Sequence, residues 1–232
     1  MKQKLIYILL ISFGFHSSAI FAQQEVVRDT VDAREKYGLR VGFDLSKPLR
    51  TFLEEDYQGL EIKGDYRLYD QIYLTGEFGN EQNVISEPNV TASAKGTYMK
   101  LGADYNFYEN WTGMQNLIYF GVRYGFATFS SELREFSIYN RNPYFGPDVR
   151  AESREYNNLT AGWAELQLGV KVEVLNNLYL STHVELKKKI NETKPGNFDN
   201  LYIPGFNRTY DGSSLGVGYG YSISYLIPLY KR

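Results

Sequence analysis

The sequence has no cysteine among its 232 residues and only two histidines, His16 and His183. Without cysteine there can be no disulfide, no thiolate metal site, no cysteine nucleophile and no lipid anchor on an N-terminal Cys. One-sided charge is also missing: 25 Lys and Arg stand against 27 Asp and Glu, a formal net charge of -2. A phosphate-binding surface needs a clear Lys/Arg excess, so no nucleic-acid partner is expected. The apolar run at residues 5–15 is too short for a spanning helix, which needs about 18 residues. It follows Lys2 and Lys4 and leads through Ser17, Ser18 and Ala19 to Ala22-Gln23, the three-part layout of a secretory signal peptide. We expect a signal peptide over residues 1–22, a polar periplasmic segment over 23–36 and one domain over 37–232. The N-x-T triplets at Asn89, Asn110, Asn158, Asn191 and Asn207 are read as chance in an Asn- and Thr-rich chain, because a cysteine-free exported protein does not suggest a eukaryotic secretory route.

What the chain has in abundance is aromatic and small: Tyr 21, Phe 14 and Gly 21, a mixture that favours strands. From Tyr37 the residues alternate. Tyr37, Leu39, Val41, Phe43 and Leu45 share one face and Arg40 and Asp44 the other. The same period of two recurs around Leu60–Leu68, Ile72–Phe78, Met99–Phe107, Ile118–Phe126, Leu166–Val174, Leu178–Leu186 and Leu215–Ile227, which predicts eight strands.

The connections sort by length. Residues 69–71, 108–116 and 175–177 are short links, whereas 47–59, 79–95, 128–160 and 188–212 are long loops, all at the same end of the meander. Short periplasmic turns, long extracellular loops and an even number of strands about 10 residues long describe an outer-membrane barrel. The faces agree. The apolar face of the eight segments carries no Asp, Glu, Lys or Arg, as expected when such a charge facing mid-bilayer lipid costs roughly 2–4 kcal/mol. The other face carries Asp44, Glu61, Asp65, Glu77, Asp104, Glu165, Glu173 and Glu185 with Arg40, Lys63, Arg67, Lys100, Arg123, Lys171 and Lys187. Tyr37, Tyr66, Phe78, Tyr105, Phe107, Phe126 and Tyr225 are expected in interfacial girdles. The competing architecture is a soluble lipocalin-like binding barrel with the two faces exchanged; it gives no reason for the sorted loops.

Few residues invite a chemical reading. Gly216, Gly218 and Gly220 lie at every second position of one strand, which suits room for bulky lumen side chains rather than a nucleotide-binding loop. Any acyl-transfer triad would have to use His183. Ser181 and Glu185 share its face but lie roughly 7 Å away along the strand, too far for direct hydrogen bonds. The balanced charges are expected to fill an eight-stranded lumen. The loop over residues 188–212, rich in aromatics, Pro and Gly, is expected to form an ordered lid or a contact surface for an extracellular partner.

The chain resembles small outer-membrane β-barrel families of Gram-negative bacteria, and most closely an uncharacterised family of unknown function among them. The resemblance rests on Tyr37-Gly38-Leu39-Arg40-Val41-Gly42, Asp44-Leu45-Ser46-Lys47-Pro48, Trp163-Ala164-Glu165-Leu166, Glu173-Val174-Leu175-Asn176-Asn177-Leu178-Tyr179, the 197–207 loop and Ser224-Tyr225-Leu226-Ile227-Pro228-Leu229-Tyr230. It implies the fold and the membrane location and transfers no activity. One departure is that Tyr230 is followed by Lys231 and Arg232, where such barrels usually end in an aromatic. The reading is therefore an all-β, eight-stranded up-and-down transmembrane barrel: monomeric, embedded among outer-membrane lipids, closed inside and acting structurally or through its outer loops. No catalytic residue, cofactor or metal is assigned. The alternative is a lipid- or acyl-modifying barrel using His183.

Overall fold

Strands that are apolar on one face and charged on the other must pair their backbones and shelter the charges, and a closed barrel does both. The computed structural model describes residues 36–110, 114–138, 144, 148–151, 153–196, 198–210 and 212–231. The expected signal peptide and residues 23–35 of the segment after it lie outside the described residues.

Eight long strands build the wall: β1 (Lys36–Asp44), β2 (Tyr57–Arg67), β3 (Ile72–Glu87), β4 (Val90–Asn106), β5 (Leu117–Ile138), β7 (Arg154–Leu175), β8 (Leu178–Glu192) and β11 (Leu215–Lys231). Each pairs antiparallel with the next. The β1–β11 pairing closes the ring, so the wall order is β1-β2-β3-β4-β5-β7-β8-β11. Three short strands lie outside the wall. β6 (Asp148–Arg150) extends the β5 edge, while β9 (Tyr202–Ile203) and β10 (Asn207–Arg208) form a small hairpin; the one described helix, α1 (Ser46–Leu53), follows β1.

The faces are those the periodicity predicts. Leu74, Phe78, Leu101, Val122, Leu168 and Val184 point outward and are 51–58% exposed, whereas Lys100, Glu165, Lys187 and Arg123 are 5% exposed or less. A lipocalin-like interior would reverse these numbers. The β7–β8 turn is tight, with Asn177 at φ 65, a left-handed conformation that Asn tolerates better than most residues.

Two expectations are corrected. The long loops are shorter than predicted because the strands continue: residues 79–95 are almost all hairpin, turning at Pro88-Asn89, and β5 and β7 extend well into residues 128–160. Outward positions there are polar, namely Asn80, Gln82, Lys95, Thr97, Thr128 and Ser130. The ladder persists above the apolar band while the apolar alternation stops. Tyr37, expected in an outer girdle, is 2% exposed. The β1–β11 register shifts at Tyr37/Gly38, and the ring turns inward, donating to Asp70 Oδ1 at 2.5 Å beneath the Arg67 guanidinium.

Candidate functional site

The inward residues of alternating strands place acids and bases within reach of one another, and they fill the lumen in layers. The lowest layer is aromatic: Tyr73, Leu117 and Tyr119 pack together, and Arg40 lies 4.5 Å over the Tyr179 ring. Above it Asp65 takes Arg40 Nε at 3.0 Å and Lys171 Nζ at 2.5 Å. Arg123 bridges Asp104, through two nitrogens at 2.8 and 3.2 Å, and Glu77 at 2.9 Å.

The central layer surrounds one ammonium. Lys100 Nζ lies 2.9 Å from Glu77, 3.4 Å from Glu185, 3.5 Å from Glu165 and 3.7 Å from Glu61. Glu77, Glu165 and Glu185 bring carboxylate oxygens within 4.8 Å of one another, close enough to hold a metal ion. Lys100 sits where such an ion would, and Gln167 donates to Glu165 Oε1 at 2.6 Å, so the donor set is already used. A hard cation needs those oxygens free and 6–8 of them for calcium; the arrangement fits an internal ammonium better.

His183 is 3% exposed and belongs to the same network. Its Nε2 lies 3.1 Å from Glu185 Oε1 and 3.2 Å from Lys63 Nζ. The expectation that Glu185 is out of reach is corrected: the backbones are two residues apart, but the long Glu side chain bends back along the strand. Ser181 does not join them, pairing with Ser222 at 2.5 Å between hydroxyl oxygens. The three sequence candidates therefore do not form a nucleophile–base–acid relay. Gly220 is what makes room for His183, because a Cβ there would lie 2.5 Å from the imidazole and 2.6 Å from Asp44.

A lid closes the upper end. The 188–212 segment turns inward at the β9–β10 hairpin and buries Ile203 and Phe206 against Tyr98, Phe129, Leu159 and Trp163, and Tyr202 against Tyr57 and Ala94. Phe206 meets Trp163 edge-on at 6.0 Å between ring centroids. Tyr202 and Phe206 of this loop are buried as in an ordered lid, whereas Phe198 is half-buried and Tyr210 exposed. Gly205 is required at its tip, with φ +79 and the Tyr98 ring 2.6 Å from any added Cβ.

One carboxylate holds the lid. Glu81, fully buried, accepts from Tyr202 Oη at 2.7 Å, the Gly205 N–H at 2.9 Å and Tyr57 Oη at 3.0 Å, and pairs with Lys47 of α1. Lys187 adds a bond to the Gly205 carbonyl at 2.7 Å. Glu81 lies above the apolar band, beyond Phe78 and Asn80. Burial pushes its carboxyl up, but the Lys47 charge and the donated hydrogen bonds outweigh that and hold it down at about 2. The Lys47 ammonium is correspondingly held above its usual range despite burial. Sequence reasoning placed both residues in loops. A signal for Glu81 existed, since it continues the inward parity of Tyr73, Thr75 and Glu77; Lys47 had none.

A cavity of about 30 Å³ lies in the lumen beside Arg40, Lys63 and His183, room for a water molecule or two. A family model described as a domain of unknown function (DUF6048) matches residues 2–232. No curated protein matches. Similar solved structures include Neisserial surface protein A (NspA), at 9% identity and TM-score 0.43 over 82% of this chain and 96% of that one. Ail, the attachment invasion locus protein of Yersinia pestis, is similar at 11% identity and TM-score 0.39 over 82% of this chain and 97% of its own.

Proposed function

The chain belongs to the DUF6048 family, and we propose that it is a monomeric outer-membrane β-barrel, sealed inside, that works through its lidded outer end rather than by conduction or catalysis. The observation that carries this is the inversion of its surface: the outside of the wall is apolar over a continuous band, and the inside is ionic. No described helix is long and apolar enough to cross a membrane. The apolar area belongs to strands, whose backbone groups are satisfied around a closed ring, the condition for crossing a bilayer without a helix. With the short turns taken as periplasmic, both ends of the wall lie on that side. The lid, α1 and the β3–β4 and β5–β7 hairpins stand on the outer side.

Enzymatic use of His183 lacks support, because the imidazole lies beneath the lid and is committed to Glu185 and Lys63. Cell fractionation with heat-modifiable gel migration tests the reading. The protein should sediment with the outer membrane and migrate faster unboiled than boiled. Recovery as a soluble monomer without detergent would overturn it. His183→Ala should leave the lipid composition of the envelope unchanged.

A further inference from the structure

At the upper end of the wall β1 stops short of both its neighbours. β1 ends at Asp44, opposite Ser222, and the last bond across this seam runs from the Leu45 N–H to the Tyr221 carbonyl at 2.6 Å. β11 continues upward to Leu215, and β2 begins at Tyr57, although its pairing with β1 starts only at Ile62. Above Asp44, therefore, residues 57–61 and 215–221 face each other with no strand between them. α1 lies on the β2 side of this notch, where Thr51 Oγ1 accepts the Gly59 N–H at 2.9 Å. Between α1 and β11 a groove of about 1010 Å³ remains, at the top of the range of roughly 300–1,000 Å³ typical of small-molecule sites.

The chemistry of the groove is graded. Along its length run Val217, Tyr219 and Tyr221, which continue the outward apolar face of Ile223, Tyr225 and Ile227, and opposite them stand Leu49 and Leu53. α1 is amphipathic: Leu49, Phe52 and Leu53 form an exposed face, and Lys47, Arg50 and Glu54 lie on the other side. That is the pattern of a helix resting at a membrane interface. At the outer end the groove carries charges of both signs, in the half-exposed pairs Arg50–Glu54 and Arg208–Glu87.

We propose that this notch is a lateral binding site for one acyl chain of a zwitterionic phospholipid of the membrane. The chain lies against Val217, Tyr219 and Leu53. The phosphate is met by Arg50 and Arg208, and the ammonium by Glu54 and Glu87. The occupant is a bilayer lipid because the groove is continuous with the lipid-facing band and open to it sideways, while the lid closes it from the lumen. The inference rests on the outer-membrane reading.

The test uses the full protein in vesicles containing phosphatidylethanolamine with a photoactivatable acyl chain, followed by peptide mapping of the adducts. Labelling of residues 49–53 and 217–221 should exceed that at Phe126 and Leu101, outward positions on β5 and β4 away from the notch, by several-fold. Val217→Glu and Leu53→Glu should each reduce the notch labelling to the Phe126 level and leave Phe126 unchanged. Excess unlabelled phosphatidylethanolamine should compete, and diacylglycerol of the same chain length should not. Uniform labelling around the wall, or notch labelling indifferent to both substitutions, overturns the site. Equal competition by diacylglycerol overturns the head-group assignment. Absence of label at Phe126 and Leu101 as well would mean that the chain is not in the bilayer, and the outer-membrane reading falls with the site.

Discussion

Replacing Glu81 with Ala should release the lid without dismantling the wall. Besides a long bond from Tyr98 at 3.5 Å, the carboxylate collects four partners from three separate segments: Lys47 on α1, Tyr57 on β2, and Tyr202 and Gly205 on the lid. Its removal leaves a buried ammonium and three donors without their acceptor. Breaking one side of a buried ion pair costs about 3–5 kcal/mol. The proton affinity gives a similar figure. A carboxyl held at about 2 against the usual 4.5 stabilises the whole folded latch, Lys47 and lid together, by on the order of 3 kcal/mol, at roughly 1.4 kcal/mol for each tenfold change in proton affinity. Because the folded value is depressed, that stabilisation is present in full above about pH 4.5 and is lost as the pH falls towards 2. The assay is tryptic cleavage after Arg208 in the lid, with cleavage after Arg134 on the β5 tip, half exposed and away from the lid, as the internal control. When opening is fast relative to cleavage, the rate follows the open population, so Glu81→Ala should accelerate cleavage at Arg208 on the order of a hundredfold and leave Arg134 unaffected. Adding Lys47→Met should recover part of the loss by removing the stranded charge. A cleavage rate at Arg208 indistinguishable from the wild-type protein would refute the latch.

Three further outcomes follow from the wall and lumen. Leu168→Arg, on the outward face, should destabilise by about 2–4 kcal/mol in detergent–urea refolding, whereas Thr97→Arg above the apolar band should cost about 0–1 kcal/mol; equal effects would contradict the assigned depth. Lys100→Met leaves Glu61, Glu77, Glu165 and Glu185 without their shared cation and should destabilise by about 3–5 kcal/mol, with Glu77→Gln restoring part of it in the double variant. A Lys100→Met protein with an unchanged unfolding midpoint would remove the ammonium from the account. Planar-bilayer recording should find no stable, large, ohmic conductance, since paired side chains fill the lumen and its cavity beside His183 is only about 30 Å³; reproducible porin-sized openings from homogeneous protein would show the closed interior to be wrong.

The alternation of Leu39, Val41 and Phe43 with Arg40 and Asp44, repeated eight times, determined the wall and which face is which. Period two is a local property, and a charge on a lipid-facing surface costs enough to leave a visible gap in composition. The near-equality of acids and bases likewise announced a filled lumen, because buried charges must be paired. The same signal fell silent above the apolar band. There water meets both sides of the strands, the outward residues turn polar, and residues 79–95 read as loop although the ladder of the hairpin over 72–106 is unbroken. The partners were beyond reach for a different reason. Lys47 meets Glu81, Tyr202 meets Glu81, and Lys100 meets four carboxylates from different strands, across separations that depend on how many strands close the ring and with what stagger. No spacing along the chain encodes those distances. The inward turn of residues 202–206, the reach of Glu185 back to His183 and the notch left where β1 stops short of β11 are all consequences of closure, and only the tertiary structure could decide them.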